Sequence, residues 1–210
     1  MRWIWIRHGE TAENREGRYL GDADAPLNET GWKQARELAE RLAGEKPVRL
    51  YTSDLLRTRQ TAEQLGAVWK MAPRLEPELR ELSFGEWERL TYEELMARDE
   101  ERARRWYDDP FQVAPPGGET LAQLGERVDR WLHRVSRTAE QKTIAIVTHG
   151  GVIRWFQAAW LHRDPRLYWQ MDGLRHGQAM MAETAGDGWR LCAETSEAKE
   201  ESVRQDEHRV

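Results

Sequence analysis

The sequence predicts an α/β fold, a three-layer α/β/α sandwich around a mostly parallel central sheet with at least one antiparallel strand. Three observations carry that prediction. Trp3-Ile4-Trp5-Ile6 and Thr143-Ile144-Ala145-Ile146-Val147-Thr148 are short apolar runs with no polar alternation, the pattern of strands buried on both faces. Strand-like runs are followed by a polar turn and a segment of helical period, the order of a parallel sheet with helices on its faces. Near the end, Gln178 to Thr184 and Trp189 to Glu194 read as a hairpin joined through Gly186-Asp187-Gly188, which requires an antiparallel strand.

The first strand leads into Glu10 to Leu27, rich in Gly, Asp, Asn and Arg and without a period, hence an ordered loop. Thr30-Gly31 opens a helix with Trp32, Ala35, Leu38, Ala39 and Leu42 on one face; Gly44 and Pro47 end it. Val48 to Thr52 is a second strand. Ser53 is placed to cap a helix that carries Leu55, Leu56, Ala62, Leu65 and Val68, with Arg57 in its first turns. Pro73 to Glu86 is irregular. Tyr92 to Tyr107 is a charged helix with Leu95, Ala103 and Trp106 inward, and the prolines and glycines from Asp108 to Gly118 make a loop. Thr120 and Gln123 form a capping box before a helix with Leu121, Leu124, Val128, Trp131, Leu132 and Val135 on one face. After the strand ending at Thr148, a helix carries Val152, Ile153, Phe156, Ala159 and Trp160. The expected organisation is one domain over 1–194, with a helical cap at about 88–118, and a charged, mobile tail over 195–210.

The 210 residues suffice for a core without staples. A net charge of -5 argues against nucleic acid or an acidic membrane surface as a partner. One cysteine, Cys192, excludes an internal disulfide framework and suits a reducing compartment. No apolar run approaches the roughly 18–20 residues of a membrane span, and no signal peptide is visible, so a cytoplasmic protein is expected.

Chemistry concentrates where strands end. The first strand runs into Arg7-His8-Gly9-Glu10-Thr11, and the later apolar strand ends in His149-Gly150-Gly151. In open α/β sheets ligands sit beyond the carboxyl ends of the strands. An imidazole is a nucleophile, a guanidinium grips phosphate oxygens bidentately, and Gly9 removes a side chain where a ligand would approach. The first five residues alone fit an ordinary surface turn equally well. Two histidine-glycine endings, together with Arg57 after the second strand, exceed accidental turn composition. No H-E-x-x-H or Cys/His cluster points to zinc.

Arg7-His8-Gly9-Glu10-Thr11, followed by Asn14, resembles the N-terminal signature of the histidine phosphatase superfamily, which includes the cofactor-dependent phosphoglycerate mutases. Ser53-Asp54-Leu55-Leu56-Arg57-Thr58 resembles the segment with that family's second phosphate-binding arginine. Thr148-His149-Gly150-Gly151 is similar to the one with its second histidine, and Leu79 to Glu88 to the one with its acid/base glutamate. The resemblance runs from Met1 to about Glu194. It implies that His8 is the nucleophile and becomes a phosphohistidine. Arg7, Arg57 and His149 then hold the phosphoryl oxygens, and Asn14 adds a hydrogen bond. Glu81 protonates the leaving alcohol and deprotonates the attacking water. Phosphoryl transfer needs positioning and spread positive charge, which these side chains supply without a metal or cofactor.

Some assignments stay open at this level. Glu81 is chosen by motif register among Glu78, Glu86 and Glu88, with Glu78 as the fallback. Asn14 also fits a turn former. His133 and His162 read as surface residues. His176 precedes a late strand, where contact with the pocket is possible but unsupported. Many phosphatases of the family carry Gly after the Trp-Glu pair, whereas Arg89 follows Glu88 here, which puts the backbone path there in question.

Phosphomonoesterases and mutases share this pocket. The mutases carry extra length to enclose a bisphosphate, and this chain is compact. Pro115-Pro116-Gly117-Gly118-Glu119-Thr120 resembles the bacterial phosphatase branch, which includes α-ribazole phosphatases of cobalamin synthesis and broad-specificity enzymes. The expectation is a metal-independent phosphomonoesterase, monomeric or homodimeric, acting on a small molecule, with α-ribazole 5′-phosphate as the leading substrate. A mutase, a broad-specificity or phosphoserine phosphatase, and a non-catalytic phosphoester-binding relative are the alternatives. Trp106, Tyr107 and Phe111 are candidates to cover an aromatic leaving group, or simply to fill the core of the cap.

Overall fold

In the computed structural model, residues 1–137, 142–186 and 188–194 are described. They form a six-stranded sheet in the order β3-β2-β4-β1-β5-β6. The strands are β1 (Arg2–Arg7), β2 (Arg49–Thr52), β3 (Arg74–Leu75), β4 (Thr143–Thr148), β5 (Ala179–Ala185) and β6 (Gly188–Glu194). β1, β4, β2 and β3 pair in parallel, and the hairpin adds β5 and β6 antiparallel beside β1. The three-layer fold and its antiparallel edge are therefore as the sequence predicts. The stretch 195–210 lies outside the described residues.

β1 shows how one apolar run serves two layers. Successive side chains of a strand point to opposite faces. Trp3 and Trp5 join the core with Trp131 of α5 (Leu121–Ser136), and Ile4 and Ile6 join the other with Leu38 of α2 (Glu29–Arg41) and Leu65 of α3 (Leu56–Trp69). Trp3 lies 6.2 Å from Trp131 and Trp5 lies 4.5 Å from Phe156, ring to ring. All four β1 side chains are fully buried. Truncating such an indole to Ala costs on the order of 3–5 kcal/mol.

Helix starts differ from the sequence reading where a tertiary partner intervenes. α2 begins at Glu29, because the Asn28 side chain accepts from the Gly31 N–H at 2.8 Å. Ser53 does not cap α3. Leu55 is its N-cap residue, and the Leu56 N–H donates instead to Asp24 Oδ1 at 2.6 Å, from the loop before α2. The Thr120 box does form on α5, with both reciprocal bonds. The loop after β1 contains a short helix, α1 (Ala12–Arg15), and the charged helix α4 (Tyr92–Asp108) kinks at Asp99.

The helix after β4, α6 (Gly150–Trp155), continues as a π-helix over Phe156–Leu161. Its i→i+5 bonding brings residues five apart toward one face. Trp155 and Trp160 are such a pair, and both indole N–H groups donate to Asp129 Oδ1 of α5, at 2.8 and 2.7 Å. His133 and His162 are exposed, as expected.

Arg89 has φ 65°, in the left-handed region, and its backbone is held from both sides. Its N–H donates to the Tyr19 carbonyl at 2.8 Å, and its carbonyl accepts from Arg18 at 2.7 Å. The backbone path is thus the one glycine favours, occupied by arginine. A side chain there costs about 1–2 kcal/mol, and glycine gives back roughly 0.5–1 kcal/mol in chain entropy. The 3.9 Å pair with Glu13 adds little, since the Arg89 side chain is 56% exposed. Arg89→Gly is expected to raise stability by about 0.5–1 kcal/mol, read from the urea midpoint; a lowered midpoint would contradict this account.

Candidate active site

The site follows from strand register. Arg7 of β1 is paired with Thr148 of β4, the last residue of each strand. The next residues, His8 and His149, therefore leave the sheet side by side, with the His8 N–H donating to the Thr148 carbonyl at 3.1 Å. Their rings lie 5.1 Å apart, edge to face. On the opposite side of β1, the Gly177 N–H donates to the carbonyls of Arg7 and His8 at 3.2 and 3.1 Å. That contact brings His176 to 5.3 Å from His8, so the contact that the sequence left unsupported is present.

His8 Nδ1 lies 2.7 Å from the Gly9 carbonyl oxygen. A carbonyl only accepts, so Nδ1 carries the hydrogen and Nε2 keeps its lone pair. Gly9 is required by close packing: a Cβ there would collide with the backbone of Gly31 near the start of α2. Arg7 donates from Nη1 to the Leu174 carbonyl at 2.7 Å. Asn14 Oδ1 accepts from the Thr11 N–H at 3.2 Å in the capping box of α1, which leaves the Nδ2 donors for the cavity that Asn14 lines. Asn14 is therefore both turn former and wall residue.

Glu81 lines the cavity with His8, and its carboxylate accepts the Gly151 N–H at 2.9 and 3.1 Å. Glu78, the other carboxylate considered, forms an ion pair with Arg134 at 2.7 Å and does not line the cavity. Arg57 is fully buried and also lies off the cavity wall. Its Nη groups donate to the carbonyls of Ala23 at 2.9 Å and Gly21 at 2.7 Å.

The residues that sequence reasoning missed hold these groups in place. Glu88 accepts the N–H groups of Gly21, Asp22, Ala23 and Phe84 at 2.9 to 3.3 Å, so the loop over 20–23 is gripped by Arg57 through its carbonyls and by Glu88 through its amides. Arg127 pairs with Glu119 at 2.7 Å and donates to the carbonyls of Glu78, Arg80 and Glu81 at 2.7 to 2.8 Å, fixing the segment that runs from the 3-10 turn at Pro77–Leu79 to Glu81. A charged residue beside the apolar stripe of an amphipathic helix, between Leu124 and Trp131, was the signal for Arg127. Arg154 adds a cation to the wall.

The cavity measures about 550 Å³. Its outer wall is aromatic: Tyr19, Phe84, Tyr92, Trp106, Tyr107 and Trp169 line it. Phe111 does not; it packs 6.3 Å from Trp155. Among the described residues no cluster of three or more His, Cys, Asp or Glu side chains is arranged to hold a metal ion, and no helix is long and apolar enough to cross a membrane.

Burial first, and then the charge of Arg57, holds the imidazoles of His8 and His149 well below the ordinary histidine range. Burial, with Arg7 and Arg57, lowers His176 to about 3. Burial lowers Arg7 to about 10, opposed by Glu81. In the unfolded chain these imidazoles take up protons near pH 6.5, so below that pH the unfolded state binds more protons than the fold. Stability is therefore expected to fall as pH drops from 7 to 5, by up to about 1.4 kcal/mol per pH unit for each imidazole. Paired carboxylates such as Asp54, held low by Arg80, lose their contribution only below their unfolded value near 3.8. Urea unfolding across that range tests this: His149→Asn should flatten the slope, and a wild-type curve flat from pH 7 to 5 would refute it.

Comparison with known proteins follows the same line. The chain is 35% identical to the adenosylcobalamin/alpha-ribazole phosphatase of Escherichia coli (strain K12) over 153 residues, 73% of this chain and 75% of that protein. It is 34% identical to phosphoserine phosphatase 1 of Hydrogenobacter thermophilus over 169 residues, 80% of each. The solved structure of the alpha-ribazole phosphatase from Shigella flexneri superposes with a TM-score of 0.86 at 30% identity, over 93% of this chain and 96% of that one. The family model of the histidine phosphatase superfamily (branch 1) matches residues 3–195. The chain belongs to the histidine phosphatase superfamily and is a phosphoric monoester hydrolase.

Proposed function

We propose that the enzyme hydrolyses a small phosphomonoester through a phosphohistidine at His8, with α-ribazole 5′-phosphate as its substrate. The observation that carries the mechanism is the His8 ring: neutral, buried, and locked by the Gly9 carbonyl with Nε2 as its lone-pair nitrogen. That lone pair attacks phosphorus as the P–O bond breaks. The departing alkoxide takes the proton of Glu81. Water then attacks the phosphohistidine, gives a proton back to Glu81, and the P–N bond breaks to release phosphate and restore His8. The charge of Arg7 and Arg57, with the imidazole of His149 beside His8, stabilises the spread negative charge of the transfer without a metal.

The choice of substrate rests on the aromatic wall. A benzimidazole nucleoside offers a flat π-face to the accessible rings of this wall, Tyr92, Tyr107 and Trp169, and a serine leaving group offers none. The alpha-ribazole phosphatases among the similar proteins support this reading, and the phosphoserine phosphatases define its competitor.

Two experiments follow. In EDTA, the enzyme should release phosphate from p-nitrophenyl phosphate, and His8→Ala should abolish this. Glu81→Gln should slow an alkyl ester by roughly 10²–10⁴, yet give a burst of nitrophenolate and an acid-labile adduct on His8, because that leaving group needs no proton. Equal slowing of both esters with neither burst nor adduct removes Glu81 from the role. For the substrate, α-ribazole 5′-phosphate should exceed phosphoserine in kcat/KM. Trp169, 44% exposed, can be removed without opening the core. Trp169→Ala should raise KM for the ribazole ester about tenfold, the worth of one lost stacking contact, and leave phosphoserine unaffected. Preference for phosphoserine would reverse the substrate choice.

A further inference from the structure

We propose that His176 is a third imidazole of the phosphoryl site and donates from Nε2 to an oxygen of the group transferred onto His8. The proposal rests on the reading of His8 as the phosphoryl acceptor. Three observations converge on it. First, His8 is flanked almost symmetrically, by His149 at 5.1 Å and His176 at 5.3 Å, ring to ring. Second, buried polar atoms are almost always hydrogen-bonded. Among the described residues, apart from four indole N–H groups and the Ser136 hydroxyl, the buried side-chain nitrogens and oxygens without a partner all belong to Arg7, Arg57, His149 and His176. His176 Nε2 is one of them, so it belongs to the same unsatisfied set as the groups around His8. Third, His176 lines the reaction cavity and also a neighbouring polar cavity of about 400 Å³, and shares both with Arg7. It stands in the wall beside the nucleophile and not in the packed core.

The chemistry has room for this donor. Negative charge in phosphoryl transfer is spread over three equatorial oxygens, each accepting up to two hydrogen bonds. Arg7 Nε and Asn14 Nδ2 on the cavity wall do not exhaust that capacity, even with Arg57 Nε and His149, which lie off its lining, added to them. A neutral imidazole carries one N–H, and burial, followed by the charges of Arg7 and Arg57, favours neutral His176. It therefore adds a donor without a further cation to repel them. The backbone supports the placement: Gly177 is tied to the carbonyls of both Arg7 and His8, so His176 cannot drift from the nucleophile without breaking that contact.

Vanadate provides the test, because its bipyramidal adduct on His8 mimics the transferring group. Its affinity is measured by calorimetry at pH 7 for wild type, His176→Leu and His176→Gln, with urea midpoints for each. Leucine removes the donor and should weaken vanadate about tenfold, the worth of one hydrogen bond to a charged group. Glutamine places an N–H at similar reach and should stay within about threefold of wild type. Wild-type affinity in the leucine variant, or equal loss in both variants, overturns the proposal. If the leucine variant does not fold, 15N-imidazole spectra of the wild type decide the matter. The His176 resonance, assigned by its loss in His176→Gln, should shift on vanadate binding, and a stationary resonance overturns the proposal. A wild type that binds vanadate no better than His8→Ala refutes the phosphohistidine reading itself. Tight, His8-dependent binding indifferent to residue 176 refutes only the third imidazole.

Discussion

The parallel pairing of β1 with β4 is the contact on which the site depends. Its last register pair, Arg7 with Thr148, decides that two histidines 141 positions apart in the chain, His8 and His149, leave the sheet as neighbours. A slip of one residue would turn every side chain of β1 to the opposite face and carry Trp3 and Trp5 into the layer shaped for Ile4 and Ile6. The aromatic cluster on one face and the aliphatic cluster on the other thus specify the register, and the register positions the imidazoles. Core packing and site geometry are in this sense one constraint.

The site is electrostatically costly, and the cost is useful. Arg7, Arg57, His8 and His149 are all withdrawn from water, and each is pushed toward its uncharged form by that burial. For the guanidiniums the shift leaves the charge intact. For the imidazoles it disfavours the proton, which leaves His8 in the neutral form that its proposed role as nucleophile needs. The same field that disfavours protonated histidine favours an anion such as the phosphate dianion of the proposed substrate.

Order in the surrounding loops comes from buried or half-buried ionic groups that bond mainly to backbone. Arg57 and Glu88 grip the two sides of the loop over 20–23, and Arg127 collects three carbonyls from the run ending at Glu81. Each binds several main-chain groups at once, so an irregular segment with no ladder of its own is held as firmly as a strand. Glu81 is further aligned by the Gly151 N–H at the start of α6, where a Cβ would collide with the carboxylate.

The sequence by itself determined the sandwich, its antiparallel hairpin and the segments bearing His8, Arg57, Glu81 and His149. Those features are written in local terms: apolar runs without alternation, helical periods, a capping box, and short motifs at strand ends. The choice of Glu81 over Glu78, the burial of Arg57, the approach of His176, the Asp24 bond to α3 and the left-handed backbone at Arg89 were decided only by tertiary structure. Glu78 and Glu81 are chemically identical carboxylates three positions apart, and only the partners that reach them, Arg134 for one and the Gly151 N–H for the other, tell them apart. His176 carries no signal of its own, because what makes it significant is a backbone contact from Gly177 to the end of a strand that lies far away in the chain. Periodicity and propensity describe what a residue does with its sequence neighbours, whereas a site is made by the residues that pairing register brings together.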